Sequence, residues 1–156
     1  MNKNWARWIF ASIAKHFDDQ AVIAALPLYI ESAPAKQGHP EDWLELRIDG
    51  PNFSGRSKDE WGVTVEVNIV ISSAKNGKNN YRFLTNEGLV CKWFVAEIPI
   101  FKLGNGVDDD QSFITCLQLI TDDKAKLVVS HFGQIDATTQ LLQSTVEGHY
   151  HANLNG

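Results

Sequence analysis

The chain has 156 residues, a length typical of one domain, and 44% of them are hydrophobic, which is enough for a core. Its formal net charge is −5, and its lysines and arginines are scattered singly, which argues against a basic surface that grips nucleic acid. The sequence contains no run long and apolar enough for a transmembrane helix, and its first residues lack the apolar core of a signal peptide. We therefore predict one soluble domain, residues 1–156, made inside the cell.

The first predicted element is an amphipathic helix. Large apolar residues recur at four-residue spacing from Trp5 to Phe17, which places them on one helical face. Asp18 and Asp19 carry negative charge, which is unfavourable beside the negative end of the helix dipole. We expect the helix to end there.

Three predicted strands follow the first helix. Residues 26–30 form a short apolar run whose Pro27 limits it to a sheet edge or a strand start. Residues 43–48 alternate between apolar and polar, residues 49–52 are a turn signal, and residues 53–60 are polar enough for a loop or a twisted strand extension. Residues 61–73 give the clearest strand. Its buried face is predicted to carry Val63, Val65, Val67, Ile69 and Ile71.

After a polar turn at residues 75–80, the pattern predicts a second helix and four more strands. The helix covers residues 81–94, and its apolar stripe is predicted to include Tyr81, Leu84, Val90, Cys91 and Phe94. Residues 98–103 and 113–120 are strands separated by an exposed loop at 104–111. After a turn at 122–124, residues 127–132 are expected to form a hairpin with the preceding strand. Residues 141–154 form the last strand.

This order of helix, three strands, helix and four strands defines the fold class. We predict an α+β fold: a mixed, mostly antiparallel β-sheet with an N-terminal helix and a second helix packed on one face.

Residues that could carry chemistry are few. The sequence has no nucleophile elbow, zinc-protease motif, phosphate-binding loop or dinucleotide fingerprint, so we predict no catalytic site and no cofactor. Asp108, Asp109 and Asp110 are adjacent rather than alternating, which favours a solvated loop over a calcium loop. Cys91 and Cys116 are isolated in apolar surroundings and are interpreted as buried thiols, although a disulfide between them stays open.

Two histidines near the end of the last strand raise the question of a metal site. His149 and His151 are two residues apart, so they point to the same side of a strand. Two imidazoles can begin a metal site, with His131 or Asp136 as a third ligand brought in by the fold. The alternative, which we adopt, is a polar end strand, and no metal ligand is predicted.

The order of the elements and the residue pattern of the strands resemble those of the tail-terminator and tail-completion proteins of tailed bacteriophages. The resemblance rests on the helix that ends in Lys15-His16-Phe17, on Leu26-Pro27-Leu28-Tyr29-Ile30, on the long strand from Trp61 to Ile71, on the second helix, and on the closing strand from Thr145 to Tyr150. It covers most of the chain but contains no diagnostic motif.

The resemblance implies a non-enzymatic virion protein of the tail or neck, assembled in the host cytoplasm. Its subunits would form a homo-oligomeric ring, hexameric in that family, between the tail-tube protein and a head-connector or neck protein. DNA would pass through without specific binding, and no membrane is involved. The acidic loop residues would face the ring lumen or a subunit interface, with solvated hairpin tips as the alternative. These residues are Asp108, Asp109, Asp110, Asp122 and Asp123. A small-molecule-binding or enzymatic domain with a tryptophan-lined pocket is the other function left open.

Overall fold

The computed structural model describes residues 1–31, 41–74, 80–122, 126–134 and 141–155, with the side chains of residues 80, 132–134 and 141 excepted. The predicted loop at 32–40 and most of the turn at 75–80 lie outside the described residues. So do Asp123 and Asp136.

Two helices and seven strands make up the described fold, in the predicted order. They are α1 (Trp5–Ile23), β1 (Leu28–Ile30), β2 (Asp42–Gly55), β3 (Glu60–Ala74), α2 (Asn80–Trp93), β4 (Glu97–Phe101), β5 (Phe113–Leu119), β6 (Val128–Gln134) and β7 (Leu141–Asn155). The α+β class is therefore confirmed.

All seven strands belong to one curled sheet in the order β1-β2-β3-β7-β5-β4, with β6 also paired to β7. Only the short edge strand β1 runs parallel to its neighbour; the other pairs are antiparallel. One edge of β7 pairs with β3 along its whole length. Its other edge is divided between β6, near Val146, and β5, near Tyr150. The predicted mixed, mostly antiparallel sheet is confirmed.

The two faces of the sheet differ sharply. We call the face that carries Val63, Val65, Val67, Ile69 and Ile71 the covered face, because all five side chains are buried as predicted. Residues directly opposite one another in a ladder share a face. Phe53 lies opposite Val63 and stacks with Trp5 of α1 at 6.3 Å between ring centroids.

The second helix packs on the same covered face. Gly148 lies opposite Val67, and a Cβ atom at this glycine would come within 2.6 Å of the Phe94 ring just beyond α2. Phe94 in turn packs against Phe17 of α1, with 5.1 Å between ring centroids. Both helices and the covered face thus enclose one core.

Helix α1 does not end at Asp18 and Asp19 but continues to Ile23. Asp19 accepts a 2.7 Å ion pair from Lys15, four residues earlier, which offsets the unfavourable dipole term. Ala21 is also buried, so the final turn contributes to the core. Packing and a local ion pair outweigh the charge argument made from sequence.

The turn predicted at residues 49–52 is a bulge inside β2. Asp49 pairs with Glu66 and Asn52 with Thr64, so the register shifts between them while the strand continues. Gly50 has a φ of 104°, a conformation that glycine adopts without strain. The polar, Gly-Pro sequence that signals a turn is therefore absorbed by a bend in a long strand.

Two further expectations were wrong. Residues 128–134 pair with β7 rather than forming a hairpin with β5, because β7 is long enough to accept both strands along one edge. Tyr81 and Leu84 of α2 are exposed. Val90 and Phe94 of the predicted stripe are buried, but Phe83, Asn86 and Trp93 are buried in place of Tyr81 and Leu84.

Candidate functional site

The second face of the sheet, which we call the open face, carries the polar residues that alternate with the core. On β3 it presents Thr64, Glu66 and Asn68, and on β7 it presents Glu147 and His149. The neighbouring strand β2 adds further polar groups. They are Glu45, Arg47, Asp49 and Asn52.

Three side chains of the open face converge. Glu66 lies directly opposite His149 across the β3–β7 ladder, and Glu147 is two residues before His149 on the same strand. One ligand atom from each of the three lies within 4.8 Å of the others. His149 Nε2 is 3.1 Å from Glu147 Oε1. Among the described residues, this is the one group of three with spacing suited to a metal ion.

The two carboxyl groups of this cluster interact closely. A hydrogen bond that the protonated form of Glu147 donates to Glu66 is the main reason why the pKa of Glu147 is raised, and burial adds to it. The same hydrogen bond lowers the pKa of Glu66, with help from the Asn68 side chain. Opposite shifts of this kind are expected when two carboxyl groups approach each other closely.

A cavity of about 190 Å³ adjoins the cluster. Glu66 and His149 form part of its wall, together with Asp49, Asn52 and Thr64. Water or a small ion in this cavity would meet several oxygen and nitrogen groups.

The histidines are placed only partly as the sequence suggested. His151 lies on the same face as His149, but His149 is grouped with two glutamates instead. His131 lies opposite the buried Ser144, on the covered face, where its Nε2 contacts Glu87 of α2. The signal for the glutamates was present in the sequence as period-two spacing, but only the register brings Glu66 to His149.

The acidic loop is less open than its sequence predicts. The side chain of Asp109 is only 1% exposed and forms an ion pair with Arg7 at 2.8 Å. Its carboxylate also accepts hydrogen bonds from Trp8 Nε1 at 2.6 Å and the Gly106 amide at 2.8 Å. These donors, led by Arg7, hold the pKa of Asp109 well below its usual range. Asp109 therefore fastens the loop to α1.

The other acidic residues lie nearer the solvent. Asp108 accepts a hydrogen bond from Asn4 at 3.3 Å, and Asp110 accepts two from Ser112. Asp122 is exposed. No observation relates any of these residues to a lumen or an interface, so that assignment stays a prediction.

The two cysteines are free thiols, each partly buried. Burial raises the pKa of both, so neither thiol is activated as a nucleophile.

An aromatic cleft also exists, as the alternative function requires. It has a volume of about 490 Å³ and lies between the start of α1 and β5. Trp5, Trp8 and Phe113 line it together with Lys102, whose Nζ lies 5.6 Å from the Trp8 ring centroid.

Comparisons with known proteins add no relative: no family model matches the chain, and no curated protein matches it. Within the described residues, neither helix is long and apolar enough to cross a membrane.

Proposed function

We propose that this protein is a non-enzymatic structural subunit of a phage virion that forms a ring as a tail terminator or neck protein. In this role it joins the tail tube to the head connector, while DNA passes through the ring. The proposal begins from the resemblance in element order, and two features of the described residues support it.

The charge of the long strands is the observation that carries the proposal. Strands β2, β3 and β7 contain six carboxylate residues, one arginine and no lysine. The single arginine, Arg47, is already paired with Glu45 at 2.9 Å. Tight DNA binding depends on lysine and arginine contacts to phosphate. Five of the six carboxylates lie on the open face, since Asp42 points to the covered face and pairs with Arg82. Arg56 follows β2 and approaches this face at Gly62, so the face carries five carboxylates against two arginines. This excess of negative charge favours DNA that slides past over DNA that is held.

Exposed apolar side chains support contacts between subunits. Val22 and Ile23 at the end of α1 are 70% and 80% exposed. Tyr81 and Leu84, one turn apart on α2, are 86% and 49% exposed. A ring needs two different patches on each subunit, because each copy contacts the next through unlike surfaces. The two helices supply two such patches.

Assembly of the purified protein tests this proposal. The expected result is a closed ring in electron micrographs and a matching mass by light scattering. If the free chain is monomeric, the ring should form once tail tubes are added. Replacing Tyr81 and Leu84 together by serine should abolish the ring while leaving the monomer folded. Val128→Ser is the control, since Val128 is also apolar and exposed but lies on β6, outside both helical patches.

Deletion of the gene from the phage that carries it gives the functional test. The expected products are filled heads and tails that fail to join, or tails of uncontrolled length. Normal infectious particles from the deletion refute the proposal. A tail-tube or connector gene beside this one would add support.

Binding of a small molecule is the second candidate, and the aromatic cleft at Trp5, Trp8 and Phe113 is the observation that favours it. A screen by fluorescence of the tryptophans distinguishes the two. Saturable binding that Phe113→Ala removes, in a protein that never assembles, would support the second candidate over the first.

A further inference from the structure

The cluster of Glu66, Glu147 and His149 is held by the most extensive ladder in the sheet. Strands β3 and β7 pair without interruption from Glu60 and Asn155 to Ala74 and Leu141. A long, continuous register fixes which residues are neighbours, so the backbone positions of the three residues cannot separate without breaking hydrogen bonds of the ladder. Asn68 adds a 3.2 Å hydrogen bond to Glu66 Oε1, which orients that carboxylate.

The distances require little adjustment to hold an ion. Zinc binds nitrogen and oxygen at about 2.0–2.2 Å, so neighbouring ligand atoms around it are roughly 3.3 Å apart. His149 Nε2 and Glu147 Oε1 are already 3.1 Å apart, and the whole group lies within 4.8 Å. Rotation about the side-chain bonds of the glutamates is enough to close the remainder.

The negative charge of the cluster also favours a bound cation. Within the described residues, neither Glu66 nor Glu147 forms an ion pair with a lysine or arginine. Asp49 lies opposite Glu66 on β2 and adds a third carboxylate to the neighbourhood. A divalent ion bound between the two glutamates would neutralise their negative charge.

The donor set selects the kind of ion. Calcium and magnesium prefer sites built only of oxygen, whereas an imidazole favours zinc and other transition metals. Three protein ligands leave further positions for water. The adjoining cavity has room for it, and Asn52 and Thr64 in the cavity wall offer hydrogen-bond partners.

We propose that Glu66, Glu147 and His149 bind one divalent transition-metal ion, with Zn²⁺ as the representative ion, on the open face of the sheet. Formation of this site does not require the proposed ring, since all three ligands come from one chain. It ties β3 to β7 through side chains as well as through the backbone.

Titration of the metal-free full chain with Zn²⁺, in competition with a coloured zinc indicator, tests the site. The wild-type chain should bind one Zn²⁺ in this assay, and millimolar Mg²⁺ should not displace it. Glu66→Gln, Glu147→Gln and His149→Gln should each weaken binding by roughly tenfold or more. His151→Gln is the matched control, because His151 shares the strand and the face but not the cluster; its affinity should stay within about twofold of wild type.

A second measurement uses only the wild-type chain, so its result does not depend on whether a variant folds. In the wild-type chain, the ring nitrogen signals of one histidine should shift on addition of one equivalent of Zn²⁺, while those of the other histidines stay in place. The proposal is overturned if the wild-type chain binds no stoichiometric Zn²⁺, if several histidine signals shift equally, or if His151→Gln weakens binding as much as His149→Gln.

Discussion

Val67 offers the sharpest test of the fold, because it lies at the centre of the covered face. Its side chain is fully buried, with Ile48 opposite on β2 and Gly148 opposite on β7. Val67→Ala removes two buried carbon atoms, worth about 1.6 kcal/mol of transfer free energy before any cavity term. Val67→Asp also buries a carboxyl group without a partner and should cost about 3 kcal/mol or more.

The pH dependence of Val67→Asp separates a buried carboxyl from a general loss of packing. The unfolded chain releases this proton near a pKa of about 3.9, whereas burial raises the folded pKa above that value. The variant should therefore lose stability relative to wild type as pH rises from about 4 towards the folded pKa, and Val67→Ala should not. Urea melts at several pH values measure both effects.

Thr64→Asp is the control on the same strand, because Thr64 is exposed on the open face. It should change the free energy of unfolding by less than about 1 kcal/mol. If Val67→Asp is as stable as the parent, or if Thr64→Asp costs as much, the assignment of the two faces is wrong.

Three further predictions concern single contacts. Tyr150→Phe should lower the free energy of unfolding by about 1–3 kcal/mol in urea melts, because the buried Tyr150 hydroxyl donates a 2.9 Å hydrogen bond to the Val95 carbonyl, which would lose its partner. Asp109→Asn should destabilise the chain at neutral pH but progressively less below pH of about 4. The pKa of Asp109 is lower in the folded chain than in the unfolded chain, so its carboxylate stabilises the fold above the unfolded pKa. That stabilisation is lost as pH falls towards the folded pKa. In hydrogen exchange on the monomer, the Gly106 amide should be slower than the amides of Lys58 and Asp59 in an exposed turn, since the Asp109 carboxylate accepts its hydrogen bond.

Each of these predictions has an outcome that contradicts it. A Tyr150→Phe variant as stable as wild type would show that the hydroxyl is not needed by the core. A constant difference between Asp109→Asn and wild type down to acidic pH would remove the role given to the ion pair with Arg7. Equally fast exchange at Gly106, Lys58 and Asp59 would show that the Asp109 carboxylate does not protect the Gly106 amide.

Sequence periodicity was sufficient for the fold class. The alternation from Val63 to Ile71 and the four-residue spacing from Trp5 to Phe17 are local signals, and the structure confirms both. The failed prediction of a hairpin between residues 113–120 and 127–132 depended on a partner distant in sequence. The pairing of β6 with β7 is decided by the length of β7, and nothing in residues 127–132 alone reveals it.

The candidate site shows the same limit. His149 was a candidate from its spacing to His151, yet its real neighbours in the cluster are Glu147 and Glu66. Glu147 is visible in the sequence as a same-face neighbour, whereas Glu66 is brought opposite His149 by the register of two distant strands. In the acidic run, sequence could not separate Asp109 from Asp108, because only the folded loop turns one carboxylate towards Arg7.

The pairing of β3 with β7 has a consequence for synthesis of the chain. Ile69 and its partner Val146 are roughly 80 residues apart, a separation that slows folding because the intervening loop must close first. Until the ribosome has released residues 141–155, β3 has a free edge flanked by valine and isoleucine side chains, and such edges recruit other strands. Production at low temperature, or with chaperones that shield nascent chains, should therefore raise the soluble yield more than any change at the surface of the finished domain.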